Sequence, residues 1–594
     1  MIRKDKATLK DGSVKTYIRV VESYRPGSGL KPKQRTLKSF GYLEDQSDPA
    51  AFMREVEAFD ANQNNREQCA SLKMYSGQNR KLNYGYKFFE AVYQALGIEG
   101  FIQAYVKKSG FRGSYSIDET FKYLVLLRLL YPDSKRASVQ RQSVFYGWEP
   151  ELELPSVYRA MDHMAAFGVE LQRHLDEKIK TLIGRDLTHA FYDVTNYFFD
   201  IDFPDENGKL RKRGVSKEHR IDPIVQMGLF IDSNGLPVSM SLFPGNTSDT
   251  MTLQPVMADV KKAYQLHRLV VVADKGLNST KNIDFICQSG DGYVVSQILR
   301  GKKGKRYHEA MFDETGYIWN SDKTYKYKLF TETYSGLDKG GHQEHRQRQV
   351  LIYWNKSEAD MTQRKREEKL ALADRASRNN AYGIKKGVQE YTKEILVDRT
   401  SGEILDNTKK ISTVDYEKAE QDARFDGYFC LITSEMGYDA AKIREIYSGL
   451  WKIEESFRIL KSDLLARPVF VSTQEHICAH FLICFAALLI LRMIQHVMGI
   501  NAISAERIAR ALNAANGKIK RGGYVDLDDV GGSMAFEKRK NKKGEMVDTL
   551  VFSDTDEIAQ DYQLIQKTFG TDFFEVEVKQ EVFNRFLKKI KYPS

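Results

Sequence analysis

The sequence predicts an α/β protein in which a mixed five-stranded sheet, flanked by helices and interrupted by a β-rich insertion domain, follows a β-hairpin and a helical domain. Two observations predict this fold class. Apolar residues alternate in five short runs between residues 187 and 299, whereas they repeat with a helical period over residues 82–184 and 439–498. A chain of 594 residues also exceeds what one hydrophobic core usually supports, so we expect several domains.

The N-terminal region predicts a basic β-hairpin. Residues 13–41 contain two strand-like runs around a Gly/Pro turn, with Lys and Arg on the polar positions. Residues 1–40 carry eleven Lys or Arg against three Asp or Glu, which accounts for most of the net charge of +10. Such a strand pair suits a polyanion such as DNA, and its predicted contacts are Lys31, Lys33 and Arg35.

The five strands of the predicted sheet follow the helical domain. Their sequences are "THAFYDVTNYFFD", "PIVQMGLF", "GLPVSMSLF", "LVVVA" and "GYVVSQI", with a helix near Leu253 to Leu266 between the third and the fourth. The wholly apolar "LVVVA" is typical of a strand that is buried on both faces. Three antiparallel strands, a helix and two buried strands form the ribonuclease H-like pattern.

The remaining segments complete the domain organisation. Tyr/Lys/Thr alternation around a charged helix near residues 361–380 predicts the β-rich insertion, and a strand at 427–433 resumes the core. The C-terminal region mixes short helices with basic Gly-rich loops, and we assign it to DNA contact or dimerisation. The predicted boundaries are 1–80, 81–185, 186–299, 300–423, 424–500 and 501–594.

The composition excludes several classes of protein. The five cysteines contain no CxxC pair and no Cys/His metal spacing, which favours a reducing cytosol. The longest apolar run, His476 to Leu491, contains two histidines and is shorter than a membrane span, so we expect a buried helix. No secretory signal follows the basic N-terminus. The composition therefore predicts a cytoplasmic protein without a membrane partner.

Two acids on strands are the first candidates for chemistry. Asp193 lies within the first strand of the sheet, and Asp274 ends the buried fourth strand. An unpaired carboxylate among apolar strand residues costs several kcal/mol, so its presence needs a reason. Neighbouring strands could aim both acids at Mg²⁺ or Mn²⁺, and a pair of such ions can activate water and stabilise the leaving oxygen in phosphodiester cleavage. Taken singly, each acid also has an ordinary structural explanation.

A third carboxylate comes from the helical segment "YSGLWKIEESFRILKSDLL". One apolar stripe faces the core at Ile446, Leu450, Ile453, Phe457, Leu460 and Leu464. Tyr447, Glu454 and Lys461 form a second stripe at its border, so we choose Glu454 and expect Glu455 to turn further out. Arg458 could brace the carboxylate of Glu454 or contact a phosphate, and Lys461 would reach the DNA backbone.

At these residues the sequence resembles the DDE transposases of bacterial insertion sequences, in the branch with a β-strand insertion before the glutamate. The resemblance covers roughly Leu187 to Met498 and depends on "FYDVTNYFF", "SKEHRIDPIVQMGL", "GLPVSMSLFPGNTSD", "VVVADKGLNS" and "IEESFRILKS" in this order. It implies that Asp193, Asp274 and Glu454 bind two metal ions. It also implies that Tyr447 and Lys461 hold the DNA end. Where the family usually has an arginine, three residues after that tyrosine, this chain has Leu450.

Further residues are predicted to contact DNA. The basic loop between the first two strands is expected to line the DNA channel through Arg211, Lys212, Arg213, Lys217 and Arg220. Trp319 and Trp354 in the insertion could stack on a flipped base, although core packing explains each of them as well. Asp249, in "FPGNTSD", is expected in a turn near the site.

These features predict a transposase that binds the ends of its element, cleaves them with water and transfers the 3′-hydroxyl ends to target DNA. A homodimer would hold the two ends in a synaptic complex. Three alternatives remain open: a metal-dependent nuclease that joins no strands, an inactive DNA-binding derivative, and a two-carboxylate glycosidase. Intact acids argue against the inactive derivative, and scattered basic patches argue against the glycosidase.

Overall fold

The computed structural model of the chain describes most of the sequence in compact, well-placed segments. The described residues are 2–8, 14–24, 33–46, 48–57, 59–60, 80–148, 152–200, 209–218, 221–264, 266–378, 389–397, 409–499, 502–520, 522–528, 534–540, 546–552, 557–573 and 575–593. The chain divides into two compact units, Met1–Lys81 with Lys518–Asp526 and Leu82–Gly517 with Leu527–Ser594. The smaller unit contains the predicted hairpin, and the larger one contains the candidate site.

The smaller unit contains a three-stranded antiparallel sheet. Its strands, in the order β1-β2-β3, are β1 (Ile2–Thr8), β2 (Val14–Tyr24) and β3 (Lys33–Tyr42). Ile18 and Val20 of β2 pack with Val56 from a helical segment at residues 49–57, and all three are buried. The predicted hairpin is therefore confirmed as β2 and β3, and β1 is an additional strand that the sequence reading did not include.

Helices precede the main sheet, as the apolar period predicted. After the short strand β4 (Leu82–Asn83) they are α1 (Tyr86–Ala95), α2 (Ile98–Ser109), α3 (Ile117–Leu130), α4 (Lys135–Gln140) and α5 (Leu154–Ile183). The side chains of Ser116 and Ser134 cap α3 and α4 by accepting backbone N–H groups. The helical period of residues 82–184 thus predicted these helices correctly.

One large mixed sheet dominates the second unit. Its first five strands are β5 (His189–Phe198), β6 (Ile224–Ile231), β7 (Pro237–Pro244), β8 (Val270–Ala273) and β9 (Gly292–Ser296). β5, β6 and β7 are antiparallel neighbours, while β8 is parallel to both β5 and β9. All five predicted strands are therefore strands, adjacent in the order β7-β6-β5-β8-β9. The helix between β7 and β8 is α6 (Leu253–Tyr264).

The sheet is larger than the five strands that the sequence predicted. Helix α7 (Thr280–Gln288) precedes β9. After β9 come α8 (Gly301–Gly304), α9 (His308–Phe312), β10 (Ile318–Trp319), β11 (Tyr325–Leu337), β12 (Gln343–Asn355), α10 (Lys356–Arg378), β13 (Thr392–Val397), β14 (Lys409–Val414), α11 (Tyr416–Ala423) and β15 (Tyr428–Thr433), the last strand of the core. The nine strands run β10-β11-β12-β15-β9-β8-β5-β6-β7. Strands β10 to β12 thus extend the core sheet, and β13 pairs with β14 apart from it. The prediction of a five-stranded sheet was therefore wrong. Strand β12 pairs with β15 of the core sheet, and its alternating residues would look the same if β12 belonged to a separate sheet.

The second half of the large unit returns to helices. They are α12 (Ala440–Ser448), α13 (Trp451–Arg458), α14 (Gln474–Met498), α15 (Ala505–Ala514), α16 (Glu557–Thr568) and α17 (Gln580–Lys589). The C-terminal strands are β16 (Asn516–Lys520), β17 (Tyr524–Leu527), β18 (Met534–Lys540), β19 (Met546–Phe552) and β20 (Glu577–Lys579). A π-helical turn, Ile459–Asp463, follows α13 directly.

Helix α14 is the centre of the helical layer. It is long and apolar enough to cross a membrane by length and composition, yet 94% of that apolar window is buried inside the protein. It packs against α5 and α3, the two longest helices of the preceding domain. This helix confirms the prediction of a buried helix within residues 476–491.

Candidate active site

Two of the predicted acids lie side by side on the central strands. In the parallel pairing of β5 and β8, His189 stands opposite Val270 and Phe191 opposite Val272. Continued by two residues, this register brings Asp193 level with Asp274, which follows directly after β8. Because side chains alternate between the faces of a strand, both acids project from the same face. The sheet register alone therefore brings these two carboxylates together.

Each strand acid is oriented by a backbone donor. The N–H of Val194 donates to Oδ1 of Asp193 at 2.7 Å, and the N–H of Gly276 donates to Oδ1 of Asp274 at 2.7 Å. A Cβ at position 276 would stand 3.0 Å from that same Oδ1, which is tighter than most real Cβ contacts. Glycine thus lets the turn close around the carboxylate of Asp274.

The environment of Asp193 disfavours its charged form. Burial raises its pKa to about 6, the negative charges of Asp274 and Asp249 act in the same direction, and the ammonium of Lys217 opposes them. A buried carboxylate that other acids repel is a common property of functional sites. Positive charge supplied to this cluster would be bound favourably.

Tyr447 connects the strand acids to Glu454. It lies in the last turn of α12, while Glu454 is an exposed residue of α13. Burial raises the pKa of the Tyr447 phenol, a hydrogen bond with Ser296 opposes this rise, and the negative charges of Asp274, Glu454 and Asp193 add to it. The phenol therefore lies within electrostatic reach of all three predicted acids. Among the described residues, however, no three His, Cys, Asp or Glu side chains stand close enough together to hold a metal ion.

Two lysines approach the strand acids. The Nζ of Lys461 donates to Oγ1 of Thr195 at 2.6 Å, and burial, together with the neighbouring Lys217, lowers its pKa to about 8 while Asp193 opposes the change. The Nζ of Lys217 donates to the carbonyl of Val194 and stands 3.8 Å from Oδ2 of Asp249. Lys217 thus lies among the carboxylates, and its predicted contact with DNA stays a prediction.

Asp249 belongs to this cluster, although the sequence indicated only a turn nearby. It begins the short 3-10 turn Asp249–Met251 after β7. Burial raises its pKa, Lys217 lowers it and Asp274 raises it further. The signal that could have identified it is its acidic side chain directly after a predicted strand of the same sheet. A single acid in a loop is too common for that signal to be decisive.

The helix that carries Glu454 differs from the expected continuous helix. The regular helix is interrupted at Gly449 and Leu450, where α12 ends and α13 begins, so the stripe of Tyr447, Glu454 and Lys461 spans three short elements. Glu455 is half-buried, and its carboxylate accepts hydrogen bonds from Nε and Nη2 of Arg458, at 2.7 and 2.9 Å. The prediction that Arg458 could brace Glu454 is therefore wrong, as is the expectation that Glu455 turns further out.

Two family comparisons match this chain. Residues 205–490 match the family described as "Transposase DDE domain", and residues 2–70 match "IS1634 family transposase, N-terminal domain". The chain belongs to the DDE transposases of insertion sequences. No curated protein matches the chain. The first match spans Asp274 and Glu454 of this transposase but begins beyond Asp193, so the assignment of Asp193 depends on the strand register described above.

One residue of the basic loop, Lys217, lies among the acids, and the other predicted residues of the loop have different surroundings. The guanidinium of Arg211 lies 5.8 Å from the ring centre of Phe199, and Lys212 pairs through its backbone with Ile224. Arg213 is exposed. Arg220 lies outside the described residues, as does Lys31 of the N-terminal hairpin. Lys33 and Arg35 lie on β3. DNA contacts by all these residues stay predictions.

The two predicted stacking tryptophans are neighbours. Their ring centres lie 6.0 Å apart at an interplanar angle of 63°, on strands β10 and β12. The indole N–H of Trp354 donates to the carbonyl of Asp426 at 3.0 Å. The ammonium of Lys326 lies 5.1 Å from the centre of the Trp319 ring, and Trp319 is exposed. Trp319 is thus the more accessible of the two rings, and stacking of either on a base stays a prediction.

Proposed function

We propose that this transposase cleaves DNA at the ends of its element and joins the resulting 3′-hydroxyl ends to target DNA, with Asp193, Asp274 and Glu454 as its catalytic carboxylates. The proposal depends on the proximity of the three acids. The charges of all three raise the pKa of the Tyr447 phenol, and the parallel register of β5 and β8 aligns Asp193 with Asp274. The ribonuclease H-like assignment of the core, with β10 to β14 and α10 as its insertion, belongs to the same proposal. The strand order β7-β6-β5-β8-β9 supports it.

A divalent cation fits the chemistry of these residues. Transposases of this family generally use divalent metal ions. The donors here are carboxylate oxygens, which suit Mg²⁺ or Mn²⁺. Burial, and to a smaller extent the charges of Asp274 and Asp249, raise the pKa of Asp193, and a cation would offset both effects. In this structure no three of these carboxylates stand close enough together to hold an ion. Asp193 and Asp274 would therefore hold the ions from the sheet, Glu454 would approach them from α13, and Asp249 would be a further oxygen donor beside them. The bound ions would activate the attacking hydroxyl and stabilise the leaving oxygen.

The protein's own residues would prepare the site for this chemistry. Tyr447 and Lys461 border the carboxylates, where a phenol and an ammonium can hold a phosphate of the DNA end. Lys217 compensates the charge of Asp193 and Asp249 until DNA or a cation arrives. Its ammonium would then be available for a phosphate as well.

Recognition of the element ends falls, in this proposal, to the N-terminal sheet and the helical region, with Trp319 available to stack on an unpaired base. Two ends held at once imply a homodimer, and the cytoplasmic nucleoid is the expected location. Removing residues 1–40 should weaken binding to the DNA that flanks the coding sequence. It should also reduce the slope of log affinity against log salt, because fewer phosphates are neutralised. An unchanged slope would reject the arm as a DNA contact.

The decisive experiment combines cleavage and strand transfer. Purified protein is incubated with Mg²⁺ or Mn²⁺, a supercoiled plasmid that carries this flanking DNA, and a second plasmid as target. We expect nicked ends and joined products from the wild type and neither from Glu454→Gln. Glu455→Gln is the matched control, because this neighbour pairs with Arg458 and should leave the chemistry intact.

The products separate this proposal from its alternatives. Nicks without joined products would indicate a nuclease, and DNA binding without either product would indicate an inactive derivative. Cleavage retained by Glu454→Gln would remove Glu454 from the assignment. Calorimetric titration with Mn²⁺ measures metal binding independently of activity. The affinity for Mn²⁺ should be lower in Asp274→Asn.

A further inference from the structure

Two arginines are buried behind the segment that carries Glu454 and Lys461. Arg492 of α14 is 2% exposed and Arg128 of α3 is 5% exposed. Among the described residues neither forms an ion pair with an acid, and their guanidinium groups donate instead to oxygens of residues 452–465 and their neighbours. Burying a charge without an ion pair is costly, so its presence here requires an explanation.

Arg492 holds the beginning and the middle of α13. Its Nη2 donates to the carbonyl of Lys452 at 2.9 Å and to Oγ of Ser456 at 2.9 Å, and its Nε donates to the same Oγ at 3.2 Å. Its Nη1 donates to Oε1 of Gln495 at 3.0 Å, which fixes the guanidinium on its own helix. Three of its nitrogens are therefore engaged in one rigid arrangement.

The face of α13 that Arg492 holds is opposite to Glu454. Lys452 and Ser456 are four residues apart and share one face, whereas Glu454 is displaced from each by about 200° around the helix. The apolar contacts of Ile453 and Phe457 are non-directional and tolerate a small rotation of so short a helix. Hydrogen bonds from a planar guanidinium do not, because they fix both distance and angle. Arg492 thus determines the direction in which Glu454 projects.

Arg128 holds the other end of the same segment. Its Nη1 donates to the carbonyls of Leu464 and Leu465, both at 3.2 Å, and its Nη2 donates to the carbonyl of Asp133 at 3.0 Å. Leu465 adopts a φ of +43°, a left-handed conformation that is unfavourable for leucine. This strain turns two successive carbonyls toward one guanidinium, directly after the π-helical turn that carries Lys461. Strain of this kind persists where the surroundings enforce it.

We propose that Arg492 and Arg128 are positioning residues for DNA cleavage: they clamp the two ends of the segment from Lys452 to Leu465 and so aim Glu454 and Lys461 at the strand acids. The proposal rests on the function proposed above. It explains why charged side chains stand where leucine or methionine would pack at lower cost. It also explains how a helix of eight residues can hold a catalytic group in one orientation.

The test uses variants that keep the positive charge but replace the planar guanidinium by an ammonium group. In Arg492→Lys and Arg128→Lys we expect DNA affinity and melting temperature close to those of the wild type. The cleavage rate at saturating DNA should fall about 10- to 100-fold, because a displacement of about 1 Å at a catalytic group has effects of that size. The loss should appear in kcat, with KM for DNA unchanged. Ser456→Ala, which removes one acceptor and keeps the arginine, should give a smaller loss of the same kind.

A matched control distinguishes positioning from stability. Arg348 is also buried, 4% exposed, and bonds to Glu332 and Tyr307 away from the segment, so Arg348→Lys makes the same chemical change elsewhere. Its kcat should remain within about twofold of the wild type. A normal kcat in both Arg492→Lys and Ser456→Ala would overturn the proposal for Arg492, and a normal kcat in Arg128→Lys would overturn it for Arg128. A wild type that cuts no DNA would instead refute the proposed function, so the two failures are distinguishable.

Discussion

The strand-borne and the helix-borne halves of the site are held in different ways. Asp193 and Asp274 are fixed by the parallel pairing of β5 and β8, within a sheet that continues on both sides. Glu454 belongs to an eight-residue helix whose orientation depends on side chains from α14. A backbone ladder resists displacement over its whole length, whereas a short helix held by a few side-chain bonds can move with them. The sheet half should therefore be rigid. The helix half, although the bonds from Arg492 limit its rotation, should be able to move more than the sheet.

Among the substitutions that test this difference, lengthening a strand acid should reduce the cleavage rate most. Asp193→Glu adds one methylene at a position whose backbone cannot retreat, so the carboxylate overshoots the site. We expect cleavage to fall by about 1,000-fold, comparable to the loss of a well-placed charge-stabilising group. Single-turnover cleavage assays with protein in excess over DNA measure this rate. Activity within tenfold of the wild type would contradict a rigid sheet half.

Shortening the helical acid should be tolerated better. Glu454→Asp withdraws the carboxylate by one methylene, and a small shift of α13 can recover part of the distance, so we expect a loss of about 10- to 100-fold. The same assay applies, with Glu455→Asp as the neighbouring control. If Glu454→Asp lost as much activity as Asp193→Glu, the helix would be as rigid as the sheet.

Lys461 provides a pH-dependent comparison between wild type and variant. Because its pKa is lowered to about 8, Lys461 is positively charged at pH 7 and loses this charge as the pH rises through 8. Lys461→Ala should cleave about tenfold more slowly than the wild type at pH 7, and the difference should narrow by pH 9. Lys442→Ala, at an exposed lysine of α12, should match the wild type at both pH values. A constant ratio between Lys461→Ala and wild type would argue against a role for the charge.

The smallest expected effect is a gain in stability when the charge of Asp193 is removed. The folded pKa of about 6 lies above the usual value of about 3.9 for aspartate, so the folded protein retains a proton that the unfolded chain releases between those pH values. The free energy of unfolding therefore falls as the pH rises through this window. After allowance for partial exposure, Asp193→Asn should be more stable than the wild type by about 1–2 kcal/mol at pH 7.5. Denaturant titration in EDTA should show this difference disappearing near pH 4.

Much of the fold was predictable because its patterns are local. The alternation in "THAFYDVTNYFFD" and the apolar run "LVVVA" identified β5 and β8, and with them the positions of two acids. The nine-stranded sheet was not predictable from the same patterns, because an alternating strand does not encode which edge it will join. The break between α12 and α13 was missed for a similar reason, since the apolar stripe continues across Gly449 without interruption.

The sequence by itself determined the strands, the helical period and the acidic residues available for chemistry, because each of these depends on neighbours within a few positions. Tertiary structure alone decided that Asp249 and Lys217 join the acids, that Arg458 pairs with Glu455, and that Arg492 and Arg128 lie behind the segment of Glu454. These contacts connect residues that are distant in the chain. Their partners are selected by packing and by the direction of hydrogen bonds, which no periodicity records.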